Sequence, residues 1–338
     1  MRPKRSVIHL LEWVIILPCF RLFQWLPETW SLLLARTVGR AAYYLCRHER
    51  AWCCRNIAAV YGETLSPAEQ ARLAPLVFEN IAETFVEILR MDGRWLEERV
   101  EFIGIEHARE ALRQAGGKGF IGVGGHLGNW EIISGLGRIY GIESTMLARP
   151  MDNPYVEREL ARCRARYRNS TLPRTTSHLA EATRRLRSGA ALGIAIDLNV
   201  VGQGVVVDFM GIPAMAARGA AKIARMEDVP VLLTIPLRIG RGRFRFILEP
   251  VPMQKSADIE HDLQVNTQRM TDQFTAWVHR YPEQWQWQHA RWRTRPDGSE
   301  WSLFTQIGEM RKTRKFIGER PALPWVRSKN GLADQRAA

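Results

Sequence analysis

From about residue 118 onward, short buried-strand patterns alternate with helical patterns, and this alternation restricts the fold more than any other feature of the sequence. Apolar runs typical of buried strands occur at 120–123, 144–148, 190–195, 205–209, 229–237 and 243–251. Helical patterns separate most neighbouring runs, at 128–139, 153–168, 177–188 and 214–226, and a further one, at 258–281, follows the last run. Such alternation predicts an α/β fold with a central mixed β-sheet flanked by helices.

The part of the chain before residue 118 has helical patterns. Residues 28–60 read as helical, and Ser66 with Glu69 forms a capping-box signature that opens a helix ending near Arg90. We therefore predict an N-terminal membrane-associating helix (1–35), a helical region (36–100), an α/β catalytic core (101–298) and a basic, partly disordered C-terminal tail (299–338).

The most apolar run, residues 7–20, bears on membrane association. It contains His9, Glu12 and Pro18, and it is shorter than the roughly 20 apolar residues that span a bilayer. Its basic start resembles the beginning of a signal peptide, but no small-x-small cleavage site follows. We predict a helix that lies in, or dips into, the membrane from the cytoplasmic side. A buried helix pair and a single membrane span are the alternatives.

Charge and cysteine content limit the partners and the compartment. The net charge of +13 and the pI near 10.0 favour an acidic partner: nucleic acid, anionic lipid or an acidic carrier protein. Arginines are concentrated between residues 158 and 187, but no nucleic-acid-binding motif accompanies them, so we predict no nucleic-acid partner. Five cysteines without a C-x-x-C pair argue against a disulfide framework or a structural zinc site and favour a reducing compartment.

A glycine-rich segment, residues 122–131 (GVGGHLGNWE), is the best candidate for chemistry. His126 directly follows a predicted strand, and flanking glycines allow a sharp turn and close approach of a substrate. On one continuous helix, His126 and Glu131 would point about 140° apart, so they can meet only if His126 stands outside the helix. Such a pair could act as a general base and the carboxylate that orients it.

The same segment has other interpretations. Main-chain N–H groups of Leu127, Gly128 and Asn129, at the start of the predicted helix, could stabilise an oxyanion. A single histidine is more often a surface or core residue, and the glycines could serve only packing. No third ligand with suitable spacing joins His126 and Glu131, so we predict no metal. The nearby GGKG at 116–119 is not a Walker A loop.

Four ordered motifs give this sequence a family resemblance. HLGNWE (126–131) resembles the H-x4-D/E motif of glycerolipid-type acyltransferases and, more narrowly, that of the bacterial lipid A late acyltransferases, the lauroyl/myristoyl transferase family. ARPMDNP (148–154), FMGIPA (209–214) and PEQWQWQHARW (282–292) resemble further segments of that family in the same order. The resemblance covers about residues 7–298.

The resemblance implies an activity and partners. It implies transfer of an acyl chain from acyl carrier protein, or from coenzyme A, to a hydroxyl of a lipid A-type precursor, without a cofactor. The partners would be the carrier protein, a lipid acceptor and the membrane surface. The expected location is the cytoplasmic face of the inner membrane.

The resemblance also implies residue roles. His126 would be the general base, and Glu131 would orient it. Substrate-binding roles follow for Asn129, Arg149, Phe209 and Gly211. A surface ion pair is the alternative for Arg149. Five C-terminal tryptophans, between Trp277 and Trp301, would cover an acyl groove, face the membrane or pack in the core.

Departures from the family pattern leave the acceptor and the chain length open. Asp197 is followed by Leu198-Asn199 where the family usually has glutamine, and Met215 and Arg218 stand near its usual threonine. The competing hypotheses are a lysophospholipid or aminolipid O-acyltransferase that uses the same His/Glu pair, and a catalytically silent membrane-binding protein.

Overall fold

The computed structural model describes residues 3–134, 139–167, 170–173, 175–202, 204–295 and 298–302. The N-terminal part contains α1 (Pro3–Trp25), α2 (Glu28–Leu45), α3 (Arg47–Tyr61), α4 (Pro67–Arg90) and α5 (Gly93–Arg99). Next come β1 (Val100–Ile103), α6 (Ile105–Gln114), β2 (Ile121–Gly124), a 3₁₀ helix (Trp130–Ser134), β3 (Ser144–Ala148), α7 (Pro154–Ala165), β4 (Ser170–Pro173) and α8 (Thr176–Arg187). The chain continues through β5 (Ala191–Ala195), β6 (Gly204–Phe209), β7 (Ile212–Ala217), α9 (Gly219–Glu227), β8 (Val231–Gly240), β9 (Arg243–Pro250) and α10 (Ile259–Arg280).

A seven-stranded mixed sheet forms the centre of the molecule and confirms the predicted fold class. Its strand order is β1-β9-β8-β2-β5-β3-β4, and β6 pairs with β7 in a separate antiparallel hairpin. All neighbours in the large sheet are parallel except β8 and β9. β2 therefore lies between two parallel neighbours, and its four residues are all buried.

Two predicted helices differ in the structure. Residues 214–226 were expected to be helical, but β7 occupies the first part and α9 begins only at Gly219. β7 alternates buried and half-buried residues because it pairs with β6, and this pairing outweighs the helix propensity of its alanines. The predicted helix at 128–139 is a 3₁₀ helix at Trp130–Ser134, while residues 135–138 lie outside the described residues.

Besides β7, two strands were not predicted, and some predicted segment boundaries do not coincide with element boundaries. β1 and β4 are four-residue strands at the two edges of the sheet, too short to show a periodic pattern. The predicted boundary at residue 35 falls inside α2, whereas β1 begins at Val100, where the core was expected to start. The predicted tail lies outside the described residues beyond residue 302.

α1 packs along the protein on one side and exposes apolar side chains on the other. Trp13, Ile16, Phe20 and Phe23 contact a buried cluster formed by Ile88, Leu89, Val156, Leu160 and Cys163. The side-chain amide of Asn153 donates to the carbonyl of His9 (3.0 Å) and to Glu12 Oε2 (2.8 Å). Glu12, which interrupts the apolar run, therefore has a polar partner on the protein surface.

α4 supports the sheet and is held by its own cap and by α2. The predicted capping box is present, with the Glu69 main-chain N–H donating to Ser66 Oγ (3.3 Å) and the Ser66 N–H donating to Glu69 Oε2 (2.8 Å). α2 crosses α4 at Gly39, where an added Cβ would lie 2.6 Å from the carbonyl oxygen of Phe78. The helices can approach this closely only because Gly39 has no side chain.

We predict that Gly39→Ala destabilises the protein, although alanine normally favours a helix interior over glycine by about 1 kcal/mol. The new methyl group would meet α4 main chain, which cannot move without shifting the helix, so the free energy of unfolding should fall by about 1–3 kcal/mol. Thermal unfolding in detergent would measure this. The matched control is Gly219→Ala, which meets no atom within 4 Å. Equal stability of the two variants would contradict the close approach of α2 and α4 at Gly39.

Candidate active site

His126 and Asp197 meet at the carboxyl ends of two adjacent parallel strands. β2 pairs with β5 in the register Gly124↔Ala195, and each chain continues two residues to His126 and to Asp197. The main-chain N–H of Ile196 donates to the carbonyl of Gly124 (2.8 Å) and extends the pairing past the last register pair. The topology of the sheet therefore brings together two side chains that are 71 residues apart.

The Asp197 carboxylate is fully buried and accepts hydrogen bonds from two segments. The ring Nδ1 of His126 lies 3.0 Å from Oδ1, and the His126 main-chain N–H donates to Oδ2 (2.7 Å). The indole Nε1 of Trp285 also donates to Oδ2 (2.9 Å). Because Nδ1 is engaged, the His126 tautomer presents Nε2 as the free nitrogen. Within the described ranges, no residue hydrogen-bonds Nε2, and the side chain is 24% exposed.

Glycine is required at two positions around His126. A Cβ on Gly125 would lie 2.6 Å from Cγ of Asp197 and 2.4 Å from the ring of Phe274. Gly128 has φ +60°, and a Cβ there would lie 1.8 Å from the carbonyl oxygen of Pro236. Because these residues have no side chains, the loop can turn sharply between the sheet and Asp197. The sequence predicted such a turn from the same glycines.

The electrostatics of the pair favour ionised Asp197. Burial alone would raise the pKa of Asp197, but the charge and hydrogen bonds of His126 hold it well below its usual range. Burial disfavours the imidazolium form of His126, yet the charge and hydrogen bond of Asp197, with the charge of Glu131, outweigh it. The pKa of His126 is therefore raised above its ordinary value. His126 is thus a stronger base than a free imidazole.

The structure corrects the predicted contact between Glu131 and His126. Asp197, and not Glu131, accepts the ring hydrogen bond, and no His126–Glu131 hydrogen bond occurs in the described part of the chain. Glu131 is buried and binds the Arg164 guanidinium through both oxygens (2.7 and 3.1 Å), and the Tyr167 hydroxyl donates to it (3.2 Å). Glu131 therefore anchors α7 beside the site and acts on His126 through its charge.

The predicted oxyanion donors at Gly128 and Asn129 are also corrected. The main-chain N–H of Gly128 donates to the carbonyl of Gln284 (3.0 Å), and that of Asn129 donates to the carbonyl of Pro236 (3.1 Å). Leu127 forms an antiparallel bridge with Trp285. The segment thus lies between β8 and the C-terminal motif, and the N–H groups of Gly128 and Asn129 bind protein carbonyls.

Asn129, predicted to bind substrate, is fully buried and faces the interior. Its side-chain amide donates to Glu87 Oε2 (3.0 Å), and its carbonyl accepts the main-chain N–H of Glu131 (3.2 Å). Glu87 in turn binds Arg238, and burial raises the pKa of Glu87 to about 7 despite that arginine. Asn129 therefore links the active-site loop to a buried polar network on α4.

The structure places the other predicted substrate-binding residues in three different surroundings. Phe209 is fully buried against Trp285 and Trp292, and Gly211, at φ +79°, lies in the turn between β6 and β7. Arg149 is exposed and pairs with Asp152 (2.8 Å), which is the ion pair considered as its alternative. Their substrate-binding roles stay predictions, and for Phe209 a supporting role behind Trp285 fits the burial better.

His289 and Arg291 of the C-terminal motif lie around the site, although the sequence assigned these two residues no role. The ring of His289 lies 4.9 Å from that of His126, and its buried Nε2 has no partner among the described residues. Burial, reinforced by the charge of His126, lowers the pKa of His289 to about 4, so His289 is neutral near pH 7. Arg291 is fully buried, lies over the ring of Phe209 at 4.4 Å and donates to the carbonyl of Met215 (2.6 Å). The motif was visible in the sequence, but its position against His126 was not.

The C-terminal tryptophans serve mainly as core. Trp285, Trp287, Trp292 and Trp301 are buried, and Trp277 is partly buried with its indole N–H donated to Glu249 (3.2 Å). Of the three predicted uses, core packing therefore matches their positions. In the parts of the chain that the structure describes, no group of three or more His, Cys, Asp and Glu side chains is arranged to hold a metal ion.

The mixed sheet and the histidine–aspartate pair at its carboxyl edge define an α/β enzyme fold with a histidine-centred site. The family model for bacterial lipid A biosynthesis acyltransferases matches residues 1–294. The chain therefore belongs to the bacterial lipid A biosynthesis acyltransferase family, which confirms the predicted family and its enzymatic nature.

Two relatives are similar at modest identity. The lipid A biosynthesis lauroyltransferase of Escherichia coli (strain K12) is 25% identical over 270 residues, covering 77% of this chain and 84% of that protein. The lipid A biosynthesis acyltransferase of Haemophilus influenzae (strain ATCC 51907 / DSM 11121 / KW20 / Rd) is 26% identical over 219 residues, covering 63% of this chain and 65% of that protein.

We predict that Asp197→Asn lowers the pKa of His126 below its ordinary value. The substitution removes the charge that raises this pKa, while the burial that lowers it remains. Titration of carbon-13-labelled histidines by NMR would measure the shift, with His126→Gln used to assign the signal. Asp152→Asn, an exposed carboxylate, is the control and should leave the His126 titration unchanged. An unchanged His126 pKa in Asp197→Asn would contradict the pairing.

Proposed function

We propose that this protein transfers a fatty acyl chain from acyl carrier protein, or from coenzyme A, to a hydroxyl of a lipid A-type precursor. Membership of the lipid A acyltransferase family supports the reaction class and the lipid acceptor. The observation that carries the proposal is the His126–Asp197 pair, which engages Nδ1 and leaves Nε2 accessible.

In the proposed mechanism, the acceptor hydroxyl gives its proton to Nε2 of His126 as its oxygen attacks the thioester carbonyl. Asp197 holds the ring and stabilises the imidazolium that forms. When the tetrahedral intermediate collapses, the C–S bond breaks and the imidazolium returns the proton to the thiolate. The ester, the free thiol and neutral His126 result, so no protein nucleophile is needed.

The positions of the cysteines support direct transfer over an acyl-enzyme route. Burial raises the pKa of Cys53 and of Cys163, which disfavours the reactive thiolate. Cys54 contacts the Tyr43 hydroxyl, while Cys19 and Cys46 are exposed on the N-terminal helices. Among the described residues, no cysteine hydrogen-bonds His126.

The acyl carrier protein is proposed to bind near exposed arginines. Arg184 and Arg187 are exposed at the end of α8, where they pair with Glu181 and Glu227. Arg164, which belongs to the arginine-rich stretch 158–187, is largely buried and bound to Glu131. Arg168, from the same arginine-rich stretch, lies outside the described residues. A positive surface steers an acidic carrier protein toward the site.

The membrane is proposed to meet the exposed apolar side of α1. Val7–Trp25 is long and apolar enough to cross a bilayer, and none of this stretch is fully buried. Its other side, however, packs against α7, whose sequence PYVERELARCRA contains five arginine and glutamate side chains over its middle turns. Because such a helix would be costly in the hydrocarbon core, we favour α1 lying along the cytoplasmic face of the inner membrane.

Lipid mass spectrometry of cells with and without the gene would test the proposed acceptor. Loss of an acyl chain from lipid A species supports the proposal. Loss confined to lysophospholipid or aminolipid products would instead favour the alternative O-acyltransferase, and an unchanged lipid profile would favour a silent membrane-binding protein.

We predict that His126→Ala lowers acyl transfer about 10²–10⁴-fold, which is the usual range for loss of a general base. Asp197→Asn should be comparably severe, and the double variant should be little worse than either, because the two residues act as a unit. Transfer to the purified lipid acceptor would be measured in micelles. Thermal unfolding would separate a purely catalytic loss from the effect of Glu131→Ala, which removes the nearest carboxylate of the buried Arg164 (2.7 Å) and leaves it only the more distant Glu157 (3.7 Å) among the described residues. Activity of His126→Ala within tenfold of wild type would exclude the mechanism.

We predict that Arg184→Gln combined with Arg187→Gln raises the KM for acyl carrier protein and leaves kcat nearly unchanged. The charges of these two arginines act on the encounter with the carrier protein. Added salt should mimic their loss because it screens charges over about 8–10 Å. The control pair is Arg113→Gln with Arg293→Gln, exposed arginines that also pair with nearby glutamates. An equal KM in both double variants would contradict this docking surface.

A further inference from the structure

A cavity of about 740 Å³ lies apart from His126, between α1, α4, α5 and α7. Six arginines line it: Arg21, Arg90, Arg94, Arg99, Arg162 and Arg166. Four carboxylates share the wall: Glu28, Asp92, Glu98 and Glu159. The wall therefore carries two more positive than negative charges.

The ion pairs show where the excess positive charge lies. Glu159 is nearly buried and is shared between Arg21 and Arg162, both at 3.1 Å. Arg90 and Arg166 are not paired with any carboxylate that the structure describes. Arg90 donates to the main-chain carbonyls of residues 23, 24 and 26, and Arg166 donates to the carbonyl of residue 89 and a cysteine sulfur. Since carbonyls and sulfur leave a guanidinium charge uncompensated, this wall favours an anion.

The cavity opens beside the apolar surface of α1. Arg21 and Gln24 line it from the last turns of this helix, and Leu22 and Trp25 on the same turns are exposed. Farther along α1, Leu11 and Ile15 are exposed as well. An anion in the cavity would thus lie at the edge of a surface that suits acyl chains. Exposed tryptophan at such an edge is typical of the level of lipid headgroups.

We propose that this cavity binds the phosphate-bearing headgroup of an anionic membrane lipid, whose acyl chains lie along the exposed side of α1. Basic pockets at membrane-facing helices bind such headgroups. The arginine fork matches the phosphate oxygens, and the adjoining apolar surface distinguishes a lipid from free phosphate. Lipid binding in this cavity does not require acyl transfer, so this proposal does not depend on the proposed function.

The site is coupled to the active site through α7 and the residues that follow it. Arg162 and Arg166 face the cavity, whereas Arg164 and Tyr167 bind Glu131 on the opposite side. A bound headgroup would therefore hold the same segment that anchors Glu131 beside His126.

Native mass spectrometry of the full-length protein in maltoside micelles would test the proposal, with phosphatidylglycerol and phosphatidylcholine added separately. The test variant is Arg94→Gln with Arg162→Gln, whose side chains are 82% and 67% exposed, so the fold should tolerate the change. Arg21 remains to pair with Glu159. The control is Arg113→Gln with Arg293→Gln, which removes the same charge from side chains 74% and 53% exposed elsewhere.

We expect one retained phosphatidylglycerol per chain, with affinity roughly tenfold lower in the test variant and little changed in the control. Glu98→Gln, which removes a competing carboxylate from the wall, should tighten binding. Equal weakening in both double variants would overturn the proposal in favour of general surface charge. Equal retention of phosphatidylcholine would also overturn it. Inorganic phosphate alone, binding as tightly as phosphatidylglycerol, would assign the cavity to a free anion and overturn the lipid assignment.

Discussion

The hydrogen bonds to the buried carboxylate of Asp197 are the interaction on which the site and much of the core around it depend. An ionised carboxylate without partners would be very costly in this interior. Its donors come from the loop after β2, through His126, and from the segment after α10, through Trp285. The same carboxylate thus orients the catalytic candidate and fixes Trp285, around which Phe209, Trp287 and Trp292 pack. Because Asp197 binds both His126 and Trp285, the C-terminal motif has to lie over the edge of the sheet.

The sequence predicted the mixed sheet, and it indicated His126 as a catalytic candidate, because both signals are local. Buried apolar runs identify strands without knowledge of their neighbours, and a histidine between glycines after a strand is visible in ten residues. The partner of His126 was missed because it depends on strand order. Asp197 follows a predicted strand closely in the sequence, but only the adjacency of β2 and β5 places it opposite His126. The spacing of Glu131 favoured the wrong carboxylate, since a short separation in sequence does not imply a hydrogen bond.

The two misjudged helices have related physical causes. The alanine-rich segment at β7 has high helix propensity, yet its side chains gain burial only when it pairs with β6. The segment after His126 begins as an extended loop because its N–H groups bind the carbonyls of Gln284 and Pro236. Both outcomes follow from partners distant in sequence, which a local pattern cannot contain. The same explanation applies to the position of Asn129, because its side-chain amide donates to Glu87 of α4, a residue distant in sequence.

In the HLGNWE motif, His126 is the half-buried catalytic candidate, and the residues that follow it hold the loop in place. Gly128 connects the loop to the C-terminal motif, Asn129 connects it to β8 and to α4, and Glu131 connects it to α7, so displacement of any of these elements would move His126. α7 is the element through which the surface can act on the site. It contacts α1 on one side and, through Arg164, holds Glu131 on the other. Because the charge of Glu131 contributes to the raised pKa of His126, a shift of α7 would change the basicity of the catalytic candidate as well as its position. A displacement of α1 against α7 would therefore be transmitted to Glu131 and, through the charge of Glu131, to His126.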